Sequence, residues 1–195
     1  MKKQIFSPRK LVLTALLAAL TAAGSALRIT LPLEVAGTTS FHLGNILCAL
    51  SGILLGPWFG GLAAGLGSAI YDMFNPLYIS ECWITFLMKG AYGVITGLIA
   101  WNWGKKPWNT NCRCSYPKAF LATVAGALTY AVLYLAKSYF YGGIFLAGLT
   151  PQAALINLAG KLPATTFNAV VAVIGAPVLA MAIGKALEKA RLLSA

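Results

Sequence analysis

The sequence predicts an all-α, polytopic membrane protein: one domain, residues 1–195, forming a bundle of six transmembrane helices with both termini in the cytoplasm. Of its residues, 59% are hydrophobic and 10% are charged, whereas soluble domains carry about 25% charged residues. Several apolar stretches come near the roughly 20 residues that a helix needs to cross a bilayer. The net charge of +11 comes mostly from basic residues gathered in three segments. This grouping is typical of the loops of a membrane protein. We therefore expect the chain to lie in a lipid bilayer and to have no nucleic-acid partner.

The first three spans follow from the apolar runs and the residues that interrupt them. The first is expected from about Lys10 to Arg28. Its apolar run exceeds the 7–15 residues of a signal-peptide core, which favours a retained helix over the alternative, a cleaved signal peptide. A polar loop is expected over Glu34–Phe41. The next uncharged stretch is too long for one span, and Gly56-Pro57 divides it into His42–Leu55 and Trp58–Asn75.

The last three spans are separated by one polar loop and one glycine-rich turn. The fourth span is expected over Cys82–Trp103 and the fifth over Lys118–Tyr141. Between them, Gly104–Pro117 is rich in Lys, Asn, Cys and Pro, which is typical of a solvent-exposed loop. The sixth span begins near Pro151 and continues to about Arg191. Kinks are expected at its internal prolines, Pro163 and Pro177.

Basic residues predict the orientation of the bundle. Lys and Arg are concentrated in the N-terminal segment, around Gly104–Pro117 and in the C-terminal tail, which six spans place on one side of the membrane. The opposite loops hold Arg28, Glu34 and Glu81. Because cytoplasmic loops carry an excess of positive charge, both termini are expected in the cytoplasm.

Four ionisable side chains fall within or at the edge of the apolar spans, all toward the side opposite the termini. They are Asp72, Lys89, Lys137 and Lys161. An ionisable group at membrane depth is costly and usually faces a polar cavity that has a function. Two alternatives stay open: Lys137 reaches out to the membrane interface, or Lys89 and Asp72 form a structural ion pair. The preferred interpretation is a polar pocket near one membrane face.

Helical spacing adds aromatic and polar neighbours to these charges. One stripe of the fifth span combines tyrosines with Lys137, and one stripe of the sixth combines Asn and Thr with Lys161. Aromatic walls with a few polar anchors suit a small amphiphilic ligand. The predicted substrate-binding residues are Asp72, Lys89, Tyr92, Tyr130, Tyr134, Lys137, Tyr141, Asn157, Lys161, Thr165 and Asn168.

The first span carries a row of small residues, Ala15, Ala19 and Ala23. Small residues four apart allow helices to approach closely in lipid. The row is therefore expected either to pack within the bundle or to dock another membrane protein.

Motifs for catalysis, cofactor binding and metal binding are not found in the sequence. It has one histidine and four cysteines without zinc-ligand spacing. It also lacks a phosphate-binding loop and a nucleophile elbow. The sequence therefore predicts no enzyme, no cofactor and no metal site, and any uphill transport would need an ion gradient or another subunit.

Four segments follow one another in the first half of the chain. They are His42-Leu43-Gly44-Asn45, Gly52-Ile53-Leu54-Leu55-Gly56-Pro57, Gly60-Gly61-Leu62-Ala63-Ala64-Gly65 and Ala69-Ile70-Tyr71-Asp72. With the six-span size and the alanine-rich first helix, this ordered combination resembles the substrate-binding S component of an energy-coupling factor (ECF) transporter. The resemblance covers essentially the whole chain and is strongest over residues 10–100.

The resemblance implies a protein of a bacterial or archaeal cell membrane that is not itself an enzyme. S components bind a vitamin or related micronutrient in an outward-facing pocket and work with a membrane coupling subunit and two cytoplasmic ATPases. The family's AxxxA motif docks on the coupling subunit; Ala15 and Ala19 match it, and Ala23 extends the row.

The substrate is predicted only as a class. Aromatic walls with amide, hydroxyl and lysine groups favour a pyridoxine-like or hydroxymethylpyrimidine-like vitamin, with cobalamin, pantothenate or a modified-base precursor left open. A different class of function also stays open: a self-sufficient secondary transporter in which Asp72 and Glu81 bind the coupling ion.

Overall fold

The computed structural model describes residues 8–33, 38–101 and 115–189, with side chains described to residue 186. Among these residues, five helical stretches are long and apolar enough to cross a membrane. The predicted class, an all-α polytopic membrane bundle, is therefore confirmed. The helices are α1 (Pro8–Ala26), α2 (Gly44–Met73), α3 (Cys82–Ala100), α4 (Tyr116–Lys137) and α5 (Pro151–Lys189); the strands are β1 (Arg28–Pro32) and β2 (Thr38–His42).

The count of five differs from the predicted six because helix α2 runs across Gly56, where the backbone leaves helical geometry at φ 79° and ψ −173°. The chain reverses there. Cys48 Sγ lies 3.7 Å from Ser68 Oγ, although a straight helix would separate these residues by about 30 Å. The predicted break at Gly56-Pro57 is thus present. The first arm, residues 44–55, is only about 18 Å long, shorter than the roughly 30 Å hydrocarbon core.

Small residues allow the two arms of α2 to pack closely against each other and against their neighbours. A Cβ added at Gly60 would lie 2.4 Å from Ser51 O on the facing arm. One added at Gly67 would lie 2.3 Å from Ala18 O of α1, and one at Gly93 would lie 2.8 Å from Gly60 O. The backbones of α1, α2 and α3 therefore touch where any side chain would hold them apart.

The segment between the first two helices differs from the prediction. Helix α1 ends at Ala26, close to the predicted end at about Arg28. Strands β1 and β2 then form an antiparallel hairpin, with Thr30 opposite Ser40, where a polar loop was expected. The β-branched residues of both strands favour this extended pairing over a loop. The fold thus has a small β element at one end of the helical bundle.

The last two helices agree with the predicted spans except at their ends. Helix α4 continues as a π-helix, Ser138–Leu146, so its regular part stops four residues before the predicted end at Tyr141. Helix α5 runs without interruption through Pro163 and Pro177. Of the predicted loop Gly104–Pro117, residues 104–114 lie outside the described part of the chain, as does Glu34.

Candidate ligand-binding site

A cavity of about 270 Å³ lies at the hairpin end of the bundle. It is enclosed by the end of α1, the β-hairpin, both ends of α2, the first turns of α3, the last turns of α4 and the first half of α5. These are the ends remote from the N-terminus of α1 and the C-terminus of α5. The cavity therefore occupies the side of the bundle that the buried charges predict.

Nine of the eleven predicted substrate-binding residues line this cavity. They are Asp72, Lys89, Tyr130, Tyr134, Lys137, Asn157, Lys161, Thr165 and Asn168. Their sequence separations span nearly a hundred residues, so the folded bundle gathers positions from α2, α3, α4 and α5. Contact of each with a ligand stays a prediction.

The other two predicted residues, Tyr92 and Tyr141, do not line the cavity. Tyr92 is fully buried and stacks behind Tyr130, with ring centroids 5.8 Å apart. Tyr141 packs against Trp83 and Phe145, at centroid distances of 6.1 Å and 5.8 Å. A π-helix has more residues per turn than an α-helix. The stripe that runs through Tyr134 and Lys137 therefore loses its phase before it reaches Tyr141.

Three tyrosines form a continuous aromatic stack beside the cavity. Tyr130 lies between Tyr92 and Tyr134, and each neighbouring pair of ring centroids is 5.8 Å apart. Tyr130 and Tyr134 are one turn apart on α4, while Tyr92 comes from α3. The buried Tyr92 thus supports Tyr130, which in turn supports Tyr134, and these last two rings line the cavity as an aromatic wall.

Two lysines contact the faces of these rings. Lys89 Nζ lies 4.0 Å from the Tyr130 centroid and donates a hydrogen bond to Asn45 Oδ1. Lys161 Nζ lies 5.9 Å from the Tyr134 centroid. A cation within about 6 Å of a ring is attracted by the negative face of the π system. Lys89 therefore has Asn45 as its direct partner, and not Asp72 as the ion-pair alternative proposed.

Lys137 forms an ion pair with Glu81. Glu81 belongs to a short 3₁₀ turn, Ile79–Glu81, just before α3. The two side chains are only 11% and 16% exposed. The ammonium of Lys137 thus turns toward the cavity and joins α4 to the start of α3, while its distance from the membrane interface stays a prediction.

The β-hairpin contributes cavity residues that the sequence analysis missed. The Arg28 guanidinium lies 4.1 Å from the Tyr71 centroid and 4.9 Å from the Tyr78 centroid. The Tyr78 hydroxyl is within hydrogen-bond distance of Thr38 Oγ1, at 3.0 Å, and of Ser40 Oγ, at 3.2 Å. The only sequence signal was the run of β-branched and hydroxyl residues at 38–40, which predicts a strand but not its position over a pocket.

Asn168 connects the hairpin to α5. Its Oδ1 accepts a hydrogen bond from the backbone N–H of His42, at 2.9 Å, and its Nδ2 donates to Ser40 O, at 2.8 Å. Both ends of the amide are therefore used within the protein.

Burial lowers the pKa of His42 well below its usual value, and the positive charges of Lys89 and Arg28 lower it further. His42 is neutral at physiological pH.

Helix α1 turns one face inward and leaves its alanine row outside. Leu13, Leu17 and Ala18 are buried against the bundle, whereas Ala15, Ala19 and Ala23 are all exposed. The row therefore does not pack against the residues that the structure describes, which leaves it open to lipid or a partner protein there. In the described residues, no group of three His, Cys, Asp or Glu side chains could hold a metal ion.

Comparison with known proteins shows the family of the chain. The sequence model of the family described as "ECF-type riboflavin transporter, S component" matches residues 5–185. The chain is also 31% identical over 121 residues to a curated protein of Pyrococcus woesei named "Uncharacterized protein in gap 3'region". That alignment covers 62% of this chain and 72% of the relative. The family match spans nearly the full sequence, so the resemblance is confirmed: this chain belongs to the S components of ECF-type riboflavin transporters.

Proposed function

We propose that this chain is the substrate-capture subunit of an ECF-type importer and that its cavity binds a water-soluble vitamin with a planar ring. The stack of Tyr130 and Tyr134 is the observation that carries the proposal. Tyr92 and Tyr130 stack behind Tyr134, so the outer face of Tyr134 offers a flat surface on which a ring can stack. Aromatic pairs of this kind add about 0.5–1.5 kcal/mol beyond area burial.

Riboflavin is the first candidate, because it is the vitamin in the description of the family. The sequence alone favours a pyridoxine-like or hydroxymethylpyrimidine-like vitamin, and these vitamins are the second candidates for the ligand. Its volume of about 270 Å³ is near the lower end of small-molecule pockets, about 300–1,000 Å³. Each of these vitamins has a ring that can stack on the tyrosines and hydroxyl groups that can form hydrogen bonds with the polar side chains of the cavity.

The energy for uptake would come from partner subunits: a membrane coupling subunit and two cytoplasmic ATPases. The exposed row Ala15, Ala19 and Ala23 supports this, because it offers small side chains on a face that the chain itself leaves uncovered. Close helix approach in lipid depends on such residues. The cavity would then open to the outside of the cell membrane, with the basic termini in the cytoplasm.

Two measurements test this function. The detergent-purified chain should carry a ring-containing vitamin that mass spectrometry identifies after denaturation. Cells or liposomes containing the chain should accumulate that vitamin only when the coupling subunit, the ATPases and ATP are also present. Accumulation by the chain alone under a proton or sodium gradient would contradict the proposal and favour the secondary transporter.

A further inference from the structure

The charged side chains that line the cavity do not balance. Among the residues that the structure describes, four are cations, Arg28, Lys89, Lys137 and Lys161, and two are carboxylates, Asp72 and Glu81, which leaves an excess of two positive charges there. The neutral His42 does not change this sum. A charge away from bulk water is costly unless an opposite charge or hydrogen bonds compensate it.

The two carboxylates lie nearer to the other cations than to Lys161. Glu81 pairs directly with Lys137. The carboxylate of Asp72 is attracted by the positive charges of Arg28, Lys89 and Lys137. No carboxylate lies within ion-pair distance of Lys161 in the part of the chain that the structure describes. The charges that act on Lys161 are Lys137, which repels it, and Glu81, which attracts it and is already paired. Lys161 therefore carries a charge that neither of these two carboxylates compensates directly.

A second observation at the same place also points to a ligand. Asn157 lies one turn before Lys161 on α5 and lines the cavity beside it. Its side chain is only 6% exposed, yet Oδ1 has no hydrogen-bond partner among the residues described. A buried amide normally has its hydrogen bonds satisfied. An Asn side chain has an acceptor, Oδ1, and a donor, Nδ2. It can therefore accept a hydrogen bond from a ligand hydroxyl or donate one to a ligand oxyanion.

We propose that the ligand carries an acidic group, a carboxylate or a phosphate, which binds Lys161 and Asn157 while the ring stacks on Tyr134. This rests on the proposed function, the binding of a ring-containing vitamin in this cavity, and specifies which members of that class fit best. The acidic group compensates the charge on Lys161 and accepts a hydrogen bond from Asn157 Nδ2, while a hydroxyl of the ligand donates one to the unpaired Oδ1. Lys161 already lies over the Tyr134 face, so the acidic group and the ring occupy adjacent positions.

Matched ligand pairs test the inference on the wild-type chain. Riboflavin is compared with riboflavin 5′-phosphate, and pyridoxine with pyridoxine 5′-phosphate and with 4-pyridoxic acid, by titration of the purified protein. Within each set the ligands share a ring and differ in the acidic group. Pyridoxine 5′-phosphate and 4-pyridoxic acid show whether the protein prefers a phosphate or a carboxylate. For at least one ring system, we expect the acidic member to bind at least tenfold more tightly than the neutral one.

The variant Lys161→Met should remove this preference, because methionine keeps the length of the side chain without its charge. Lys185→Met is the control: Lys185 is exposed and lies on the same helix, away from the cavity, so the preference should remain. If Lys161→Met does not fold, Lys161→Gln takes its place, and the wild-type comparison stands on its own.

The outcomes separate the inference from the function on which it rests. Neutral members that bind as tightly as their acidic partners would overturn the acidic-group inference and leave vitamin capture standing. A preference that survives loss of the Lys161 charge would overturn the assignment to Lys161. Failure of every neutral and acidic ring compound to bind would overturn the proposed function itself.

Discussion

The ammonium of Lys89 lies 4.0 Å from the centroid of the Tyr130 ring and donates a hydrogen bond to Asn45. This arrangement joins α3, α4 and the start of α2 at the inner side of the cavity. Lys89 is only 3% exposed, so an amide oxygen and an aromatic face take the place of water around its charge. The cation thereby fixes the position of Tyr130, which supports Tyr134, the ring on which we expect the vitamin to stack.

The Glu81–Lys137 ion pair should contribute to stability as a pair. Glu81→Gln and Lys137→Met each leave the partner charge in a largely buried place, so each should lower the free energy of unfolding. The double variant should lose less than the sum of the two, with a coupling of about 1–3 kcal/mol. Unfolding in detergent measures this, with Lys185→Met as control, and simple additivity would show that the pair contributes nothing.

His42 should make stability fall as the solution is acidified. Its pKa in the folded chain lies below its usual value, which is about 6.5 in an unfolded chain. Below about pH 6.5 the unfolded chain therefore binds a proton that the folded chain does not. The free energy of unfolding should fall by up to about 1.4 kcal/mol per pH unit.

Unfolding measured at about pH 7.5 and about pH 5.5 checks this expectation. His42 is the single histidine of the chain, so His42→Gln removes the whole histidine contribution. An equal pH dependence in the variant and the wild type would assign the effect to other groups.

Gly56 should be the least replaceable residue of the α2 turn. Its φ of 79° disfavours any residue with a Cβ, and an added Cβ would lie 2.6 Å from the Trp101 ring. Gly56→Ala should therefore cost about 1–3 kcal/mol of stability. Gly184→Ala is the control, because no described residue lies within 4 Å of its added Cβ; it should be neutral or gain up to about 1 kcal/mol. Equal effects of the two changes would contradict the turn at Gly56.

The alanine row of α1 should be needed for assembly and not for ligand binding. Ala19→Trp places a large side chain on an exposed face that needs small ones. Ligand affinity of the isolated chain should be unchanged, while ATP-driven uptake with the partner subunits should be lost. Leu128→Trp, at a site on α4 that is 62% exposed, should preserve both. Loss of ligand binding in Ala19→Trp would indicate that the row supports the bundle instead.

The helices were largely predictable because their signals are local. Apolar length gives the spans, and Gly56-Pro57 marks the reversal although the helical assignment continues through it. Polar and aromatic residues at membrane depth identified nine of the residues that line the cavity, because a polar group in lipid usually faces a polar cavity.

The rest depends on tertiary structure. Helical periodicity gives the face on which Tyr92 lies but not that Tyr130 covers it, and the π-helix shifts Tyr141 out of phase. Arg28 and Glu81 have the sequence context of ordinary loop charges. Only the folded hairpin and the turn before α3 bring them to the cavity.

Titration of the purified chain with riboflavin and riboflavin 5′-phosphate tests the central claim most directly. We expect saturable one-to-one binding, with a Kd at least tenfold higher, about 1.4 kcal/mol, in Tyr134→Leu. Affinity should be unchanged in Tyr116→Leu, the same substitution at a position of α4 that is 44% exposed. Absence of saturable binding, or binding that Tyr134→Leu leaves unchanged, would contradict capture of a flavin on the tyrosine wall.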